Sequence, residues 1–480
     1  MKKFILFASV LLIPIVLFSL FGRADGDHSW TQDLQNVAIY NDGLVIHPTN
    51  SQIMYAASND HGVYLSVDGG TTWIPSNTGI TGTVEAIAIS RSNPDILFVG
   101  TATNGVYKTT NGGSTWTAVN TGITESANDI EAIDISPTNP NNVVICIYKS
   151  STDATIGVYK TTNGGTSWAA SNTGMGLQLN CLCMVTNPLT PNTIYMGSTY
   201  STNVGVHIYK SFNFGNSWFD ISNGMDTGLT TGNDPFRCLS YSTADTNLIL
   251  AGRFWNTSNG GPWITTNGGN NWHQSSNGIV IESVPGHLIR SVLIKPGSAT
   301  EFFFGGGTNG SGSAIPGGVW RSTNAGATWF NFNPPYTTGV LDSNMVVRAL
   351  CMRPIDQTLF AGVTAVYSPS TGTTGIYEYS FAIGVRKIGN DVPKTFTLQQ
   401  NYPNPFNPTT FINFEIPKNS DVSINVYDIT GKLVDKIIDK NMQSGSYQIS
   451  YDASKLTSGV YFYRLSAGNF VDTKKMILVK

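Results

Sequence analysis

At 480 residues the chain is long enough for two or three domains with sizeable cores. Charged residues make up only 12% while glycine contributes 50 residues. That excludes a helical bundle and a disordered polyelectrolyte, and points to many short strands joined by polar turns. A formal net charge of −3, with no Lys/Arg-rich run, gives nucleic acid no electrostatic foothold.

The chain opens Met1-Lys2-Lys3, runs apolar from Phe4 to Phe21 and reaches a small residue at Ala24. A basic start, an apolar middle and a small residue before a polar stretch predict a secretory signal over residues 1–24. A retained anchor is the alternative, since the apolar run approaches spanning length; Pro14 and the small residues after it favour cleavage. No later segment is apolar enough to cross a bilayer, so no integral membrane segment is expected after cleavage.

Residues 25–382 are repetitive. Each repeat reads as a strand, a polar turn often containing Pro, and a second strand, as in AIAISRSNPDILFVG over 86–100 and CLCMVTNPLTPNTIYMG over 181–197. A short third strand follows, then a recurrent turn ending in Trp. It occurs six times, first as Ser66-Val-Asp-Gly-Gly-Thr-Thr-Trp73, then in versions ending at Trp116, Trp168, Trp218, Trp272 and Trp329. Asp68, Asn111, Asn163, Asn213, Asn267 and Asn324 can each accept backbone N–H bonds from their own loop, and glycine within the turn supplies positive φ. The Trp is an apolar plug suited to the space between packed sheets. These are structural clasps, not reactive sites. Four antiparallel strands per repeat make one blade. There are seven first strands but six such turns: the last unit ends at Gly375–Phe381 without one, while His28–Gln35 looks like a fourth strand on its own. The all-β fold expected is a seven-bladed β-propeller over 25–382, closed by the N-terminal strand, which leaves no open edge.

The repeated turn resembles the Asp-box (BNR) hairpin of sialidases, xyloglucanase-type glycoside hydrolases, sortilin-like domains and a photosystem assembly factor. The resemblance implies a propeller and little about chemistry, because those relatives share the turn and not the activity. Only the first turn keeps the acid, so a calcium role for the boxes is weak: amides bring no charge.

Strand direction places the boxes on one face and the loops between blades on the other. The residues just before the innermost strands are Asp42, Glu85, Glu131, Asn180, Arg237, Arg290 and Arg348 in blade order. They are expected to ring one mouth of the channel, acids on one arc and arginines on the other. One reading is a rim whose charges neutralise each other. The other is a ligand site, with arginines taking a carboxylate, sulfate or phosphate and acids accepting hydroxyl bonds. The loops 219–237, 273–290 and 330–348 would wall the arginine side, and Tyr200, Arg253, Trp255 and His287 lie in loops of the same face.

Five cysteines are an odd number for an exported chain. Cys181 and Cys238 align with Gly43, Ala86, Ala132, Ser291 and Ala349, where small size is required, so buried free thiols are expected. No metal or cofactor site is predicted.

Residues 383–393 read as a linker and 394–480 as a small immunoglobulin-like β-sandwich. Its motifs Tyr402-Pro-Asn-Pro-Phe406, Val426-Tyr-Asp-Ile-Thr-Gly431 and Leu456-Thr-Ser-Gly-Val-Tyr461 closely resemble those of the type A C-terminal sorting domain of the bacterial type IX secretion system. That implies Sec export, passage through the outer membrane with the secretion machinery as partner, and a place on the cell surface or outside the cell.

The functional expectation is a monomeric, non-catalytic module binding a glycan or a surface protein. Its candidate contacts are Arg237, Arg290, Arg348, Asp42, Glu85, Glu131, Asn180, Arg253, Trp255 and Tyr200. The alternative is a glycoside hydrolase, sialidase-like or xyloglucanase-like, using Glu85 and Glu131 with Asp42 in reserve. Resemblance to sialidases would also imply an Arg-Ile-Pro motif and six blades, and the xyloglucanase-type relatives hold their acids between two propellers. This chain has no Arg-Ile-Pro and only one propeller is expected.

Overall fold

The computed structural model describes residues 30–479 except 59–60, 124–128, 149–156, 176–179, 200–205, 226–234, 255–259, 280–287, 308–316, 333–344, 355–356, 367–372, 381–384, 388–392, 407–408 and 454–455. The expected signal segment, Tyr200, Trp255 and His287 lie outside the described residues, as do parts of the three long loops.

Between residues 30 and 380 the chain forms seven four-stranded antiparallel sheets. Their innermost strands, blade 1 to blade 7, are Ile39–Ile46, Val84–Ile89, Asp129–Ile135, Asn180–Thr186, Phe236–Tyr241, Leu288–Ile294 and Met345–Arg353. Each packs on its predecessor in chain order, and that of blade 7 packs on that of blade 1, closing the ring. Second strands such as Leu97–Thr101 are buried along their whole length, because a neighbouring blade covers each face; this is why they read as continuous apolar runs. Six sheets use four consecutive strands. The seventh takes Thr31–Gln35 beside Gly375–Ser380, pairing Thr31 with Glu378 and Gln35 with Gly375.

The box turns fasten blade to blade. In each, a Ser or Thr hydroxyl donates to the Asp or Asn side chain, as from Thr161 to Asn163 at 2.8 Å, and accepts the N–H of a later glycine, as from Gly165 at 3.1 Å. Asn163 also accepts the Ser167 N–H and donates its amide to the Ser167 hydroxyl. In the first box the direction reverses, with the Thr72 hydroxyl donating to Asp68 at 2.6 Å. Asp and Asn are thus interchangeable here, because either accepts the N–H of the fourth residue on, even in the fifth box, where that residue is Asn271 and has no hydroxyl. The indoles of Trp116, Trp168, Trp218 and Trp272 donate to carbonyls of the preceding blade, at Ser76, Val119, Ser171 and Ile221, and Trp329 donates to the Ser275 hydroxyl. Beside each lies an Asn-Thr-Gly or Asn-Gly turn of that blade. Gly122 has φ 92°, and a Cβ there would overlap the Trp168 carbonyl oxygen.

Trp73 is the exception: its indole bonds to Gly70 of its own turn. The missing seventh indole comes from Trp30, fully buried, which donates to the Phe332 carbonyl of blade 6. The dipeptide Ser29-Trp30 repeats the box ending Ser167-Trp168. The N-terminal strand therefore supplies a clasp as well as an edge.

Blades also meet where a second-strand residue faces the next innermost strand. A Cβ on Gly100 would strike Ile130, and one on Gly252 would strike Ile289. Between blades 3 and 4 the same place holds a disulfide, Cys146–Cys181, with Cα atoms 5.5 Å apart. The expectation of free thiols fails for this pair and matches the free, buried Cys183 and Cys238. Pairing of Cys183 with Gly197, like Ala86 with Gly100, shows that Cys183 occupies the small position assigned to Cys181. Two apolar residues spaced by one satisfy either register; only strand pairing separates them.

Residues from 385 on form two further four-stranded sheets around one core that includes Ile412, Phe414, Ile424, Val426, Tyr451, Tyr463 and Leu465. Val385–Lys387, inside the expected linker, is the edge strand of one sheet, paired with Gly445–Asp452. The sandwich thus starts earlier than 394. Phe406 of the Tyr-Pro-Asn-Pro-Phe motif is buried in the core, and Asp428 closes its turn by accepting the Thr430 and Lys432 N–H groups.

Candidate functional site

Register breaks by one residue in each innermost strand of blades 2 to 7, leaving an unpaired bulge residue. In order these are Glu85, Glu131, Leu182, Arg237, Arg290 and Arg348. A bulge re-aims one side chain while its neighbours stay in the sheet. Here flanking pairs such as Val84 and Ala86 remain packed between blades, and the bulge residue turns to the channel at the end opposite the boxes. In blade 1 the break is wider, between Ile39 and Leu44.

Two ring assignments need correction. Blade 4 contributes Leu182, not Asn180, for the register reason above; Asn180 occupies the place held by Asp129 in blade 3. Blade 1 contributes Tyr40 in place of Asp42. The Tyr40 hydroxyl is raised by burial and by the charges of Glu131 and Glu85, and Arg348 lies 5.5 Å from its ring centre. Asp42, at φ 50°, lines the channel with Asp134 and Arg91. It keeps exposed surface inside the channel, where the surrounding walls displace part of the water and raise its carboxyl above the ordinary range.

The arginines converge. Arg237 and Arg290 each lie 5.3 Å from the ring centre of Phe254. Burial, then the charges of Arg348 and Arg237, lower Arg290 to about 9, which leaves it cationic at neutral pH. Arg253, 4% exposed, lies 5.5 Å from the ring centre of Phe236. On the acid arc burial comes first again. It raises Glu131 to about 7 together with the Glu85 charge, against the pull of Arg237, Arg348 and Arg290. Asp129 rises to about 9 through burial, a hydrogen bond with Glu85 and the charges of Glu85 and Glu131. Asp129, Tyr40 and Phe254 are absent from the sequence-derived set. Asp129 was within reach, since alternation puts it on the face of Glu131; the other two carry no periodic signal.

Beyond this mouth the channel holds a cavity of about 310 Å³ lined by Asp42, Asp134, Arg91 and Tyr241. Arg91 donates to the Tyr241 hydroxyl at 3.1 Å, linking blade 2 to blade 5. A second cavity of about 660 Å³, walled by His47, Leu293, Leu350 and Met352 among others, opens at the box-side end. Among the described residues no group of three or more His, Cys, Asp or Glu is placed to hold a metal.

Residues 400–480 match the family model of the secretion system C-terminal sorting domain, and residues 61–181 match that of sortilin, neurotensin receptor 3. No curated protein matches the chain. Among solved structures, the Niastella koreensis GH74 enzyme is 17% identical with TM-score 0.48, over 92% of this chain and 66% of its own. YCF48 from Cyanidioschyzon merolae is 14% identical with TM-score 0.49, over 73% and 98%. PorZ, a surface component of the type-IX secretion system of Porphyromonas gingivalis, is 12% identical with TM-score 0.49, over 89% and 58%. The chain thus spans less than two thirds of the GH74 enzyme and of PorZ, and at these identities the likeness bears on neither activity nor ligand. The box repeats, the closed ring of sheets and the matched tail together make this chain an Asp-box β-propeller protein carrying a C-terminal sorting domain of the type IX secretion system, which directs it to the cell surface or the extracellular space.

Proposed function

We propose that the propeller is a non-catalytic binding module whose arginine arc receives a carboxylate, sulfate or phosphate of an extracellular glycan or protein. Convergence carries this reading: three successive blades bring Arg237, Arg290 and Arg348 close enough for their charges to lower Arg290. Like charges gathered at a largely buried mouth cost free energy, and an anion accepting their hydrogen bonds relieves it. Phe254, with both guanidinium groups 5.3 Å from its ring centre, holds them side by side, and each can make bidentate contacts.

Glycoside hydrolysis is the second reading. It is favoured by Glu131 and Asp129, which burial raises to about 7 and about 9, into the range a general acid requires. The hydrogen-bonded Glu85 and Asp129 stand nearer than the roughly 5–5.5 Å or 6.5–9.5 Å between carboxyl groups that hydrolases use, so a hydrolytic pair would have to include Glu131. The test is a panel of acidic and neutral polysaccharides scored for retention and for released reducing ends. R237A/R290A/R348A is expected to lose retention of acidic glycans with little change in Tm. Unchanged retention rejects the arc as the site. Reducing ends released by the native protein and not by E131Q establish the hydrolase instead.

A further inference from the structure

The two arcs oppose each other across the mouth. Blades 2 and 3 supply Glu85, Asp129 and Glu131; blades 5, 6 and 7 supply Arg237, Arg290 and Arg348. At the two junctions stand Tyr40 of blade 1 and Leu182 of blade 4, uncharged at neutral pH. Among the described residues no ion pair joins Glu85 or Glu131 to Arg237 or Arg290. Glu131 and Arg290 are each only 9% exposed and Glu85 8%. Glu131 Oε2, Glu85 Oε2 and Arg290 Nε are buried with no hydrogen-bond partner among the described residues. Buried charged groups with unsatisfied atoms are costly, and here opposite signs face each other across one opening.

We infer that the mouth takes a dipolar ligand, carrying an anionic group for the arginine arc and, at a fixed spacing, an ammonium or guanidinium group for the carboxylates. This rests on the anion-binding reading above and adds the cationic half. A simple anion satisfies one wall and is repelled by the other; a simple cation does the converse. A zwitterion compensates both, and its two charges lie along the field between the arcs, which fixes its orientation. Because burial raises Glu131 to about 7 and Asp129 to about 9, seating the cation at a pH below those values displaces a proton, so the cationic half gains strength as pH rises and the acid wall charges.

The probes are α,ω-amino acids from glycine to 6-aminohexanoate, compared by titration calorimetry with the carboxylic acid and the amine of the same length, on the full chain at about pH 8. One length is expected to bind about tenfold tighter than either monofunctional parent. That gain should shrink at about pH 6, where Glu131 takes up its proton, and likewise in E131Q. R290A is expected to lose the acid and most of the zwitterion. If every amino acid binds no tighter than its parent acid while R290A still loses the acid, the dipolar ligand is overturned and the anion site stands. If R237A/R290A/R348A binds acids as well as the native protein does, both readings fall. The comparison among probes uses native protein, so it does not depend on a variant folding.

Discussion

At the scale of single residues, the mouth is a set of side chains held where their charges are unwelcome. Glu131 shows the consequence for stability. Burial and the Glu85 charge raise its folded value to about 7, above the ordinary carboxylate range. The folded protein therefore holds this proton more tightly than the unfolded chain does. Stability from that preference is complete below the unfolded value of about 4.3 and is lost as pH rises through about 7. E131Q, which needs no proton, is expected to match the native Tm near pH 4 and exceed it near pH 8, by a margin that grows between. Thermal melts across that range check this; a margin constant with pH would mean that Glu131 titrates normally. The boxes show the opposite economy. Asp68 and Asn163 differ in charge yet occupy equivalent turns, because what the turn demands is an acceptor for one N–H.

Blade contacts are the next scale. Each box indole is shared between two sheets, so its loss damages an interface and not one blade. Trp218, 1% exposed, fills the space between blades 3 and 4 and donates to Ser171 at 2.9 Å. Trp218→Ala is expected to cost about 3–5 kcal/mol, measured by denaturant unfolding. A loss below about 1 kcal/mol would assign the turn's stability to its local hydrogen bonds alone. The Cys146–Cys181 bridge belongs to the same interface and stands where other blades bring glycine against an apolar side chain, which suits an exported chain in an oxidising compartment.

Closure belongs to the whole molecule. Thr31–Gln35 covers the outer edge of blade 7, and Trp30 supplies its clasp to blade 6. Starting the chain at Asn36 removes both, leaving Gly375–Ser380 as an uncovered edge. Such a protein is expected to melt well below the native one and to self-associate in size-exclusion chromatography. Trp30→Ala alone should lower Tm without self-association, because the edge stays paired. If the shortened chain melts like the native protein, the ring does not depend on the borrowed strand. Closure also makes the mouth: acids from the first half of the propeller face arginines from the second only because the last innermost strand packs on the first.

The sequence by itself determined the repeat, the clasp chemistry, the borrowed strand and the sorting tail, because each depends on local spacing or on motifs contiguous in the chain. Tertiary structure decided the register of blade 4, which made Leu182 the ring residue, the partner of Cys181, the place of Tyr40, and the strand hidden in the expected linker. The physical reason is one of range. Alternating apolar residues satisfy two strand registers equally well within their own segment, and only the neighbouring strand, dozens of residues away, selects the one that packs.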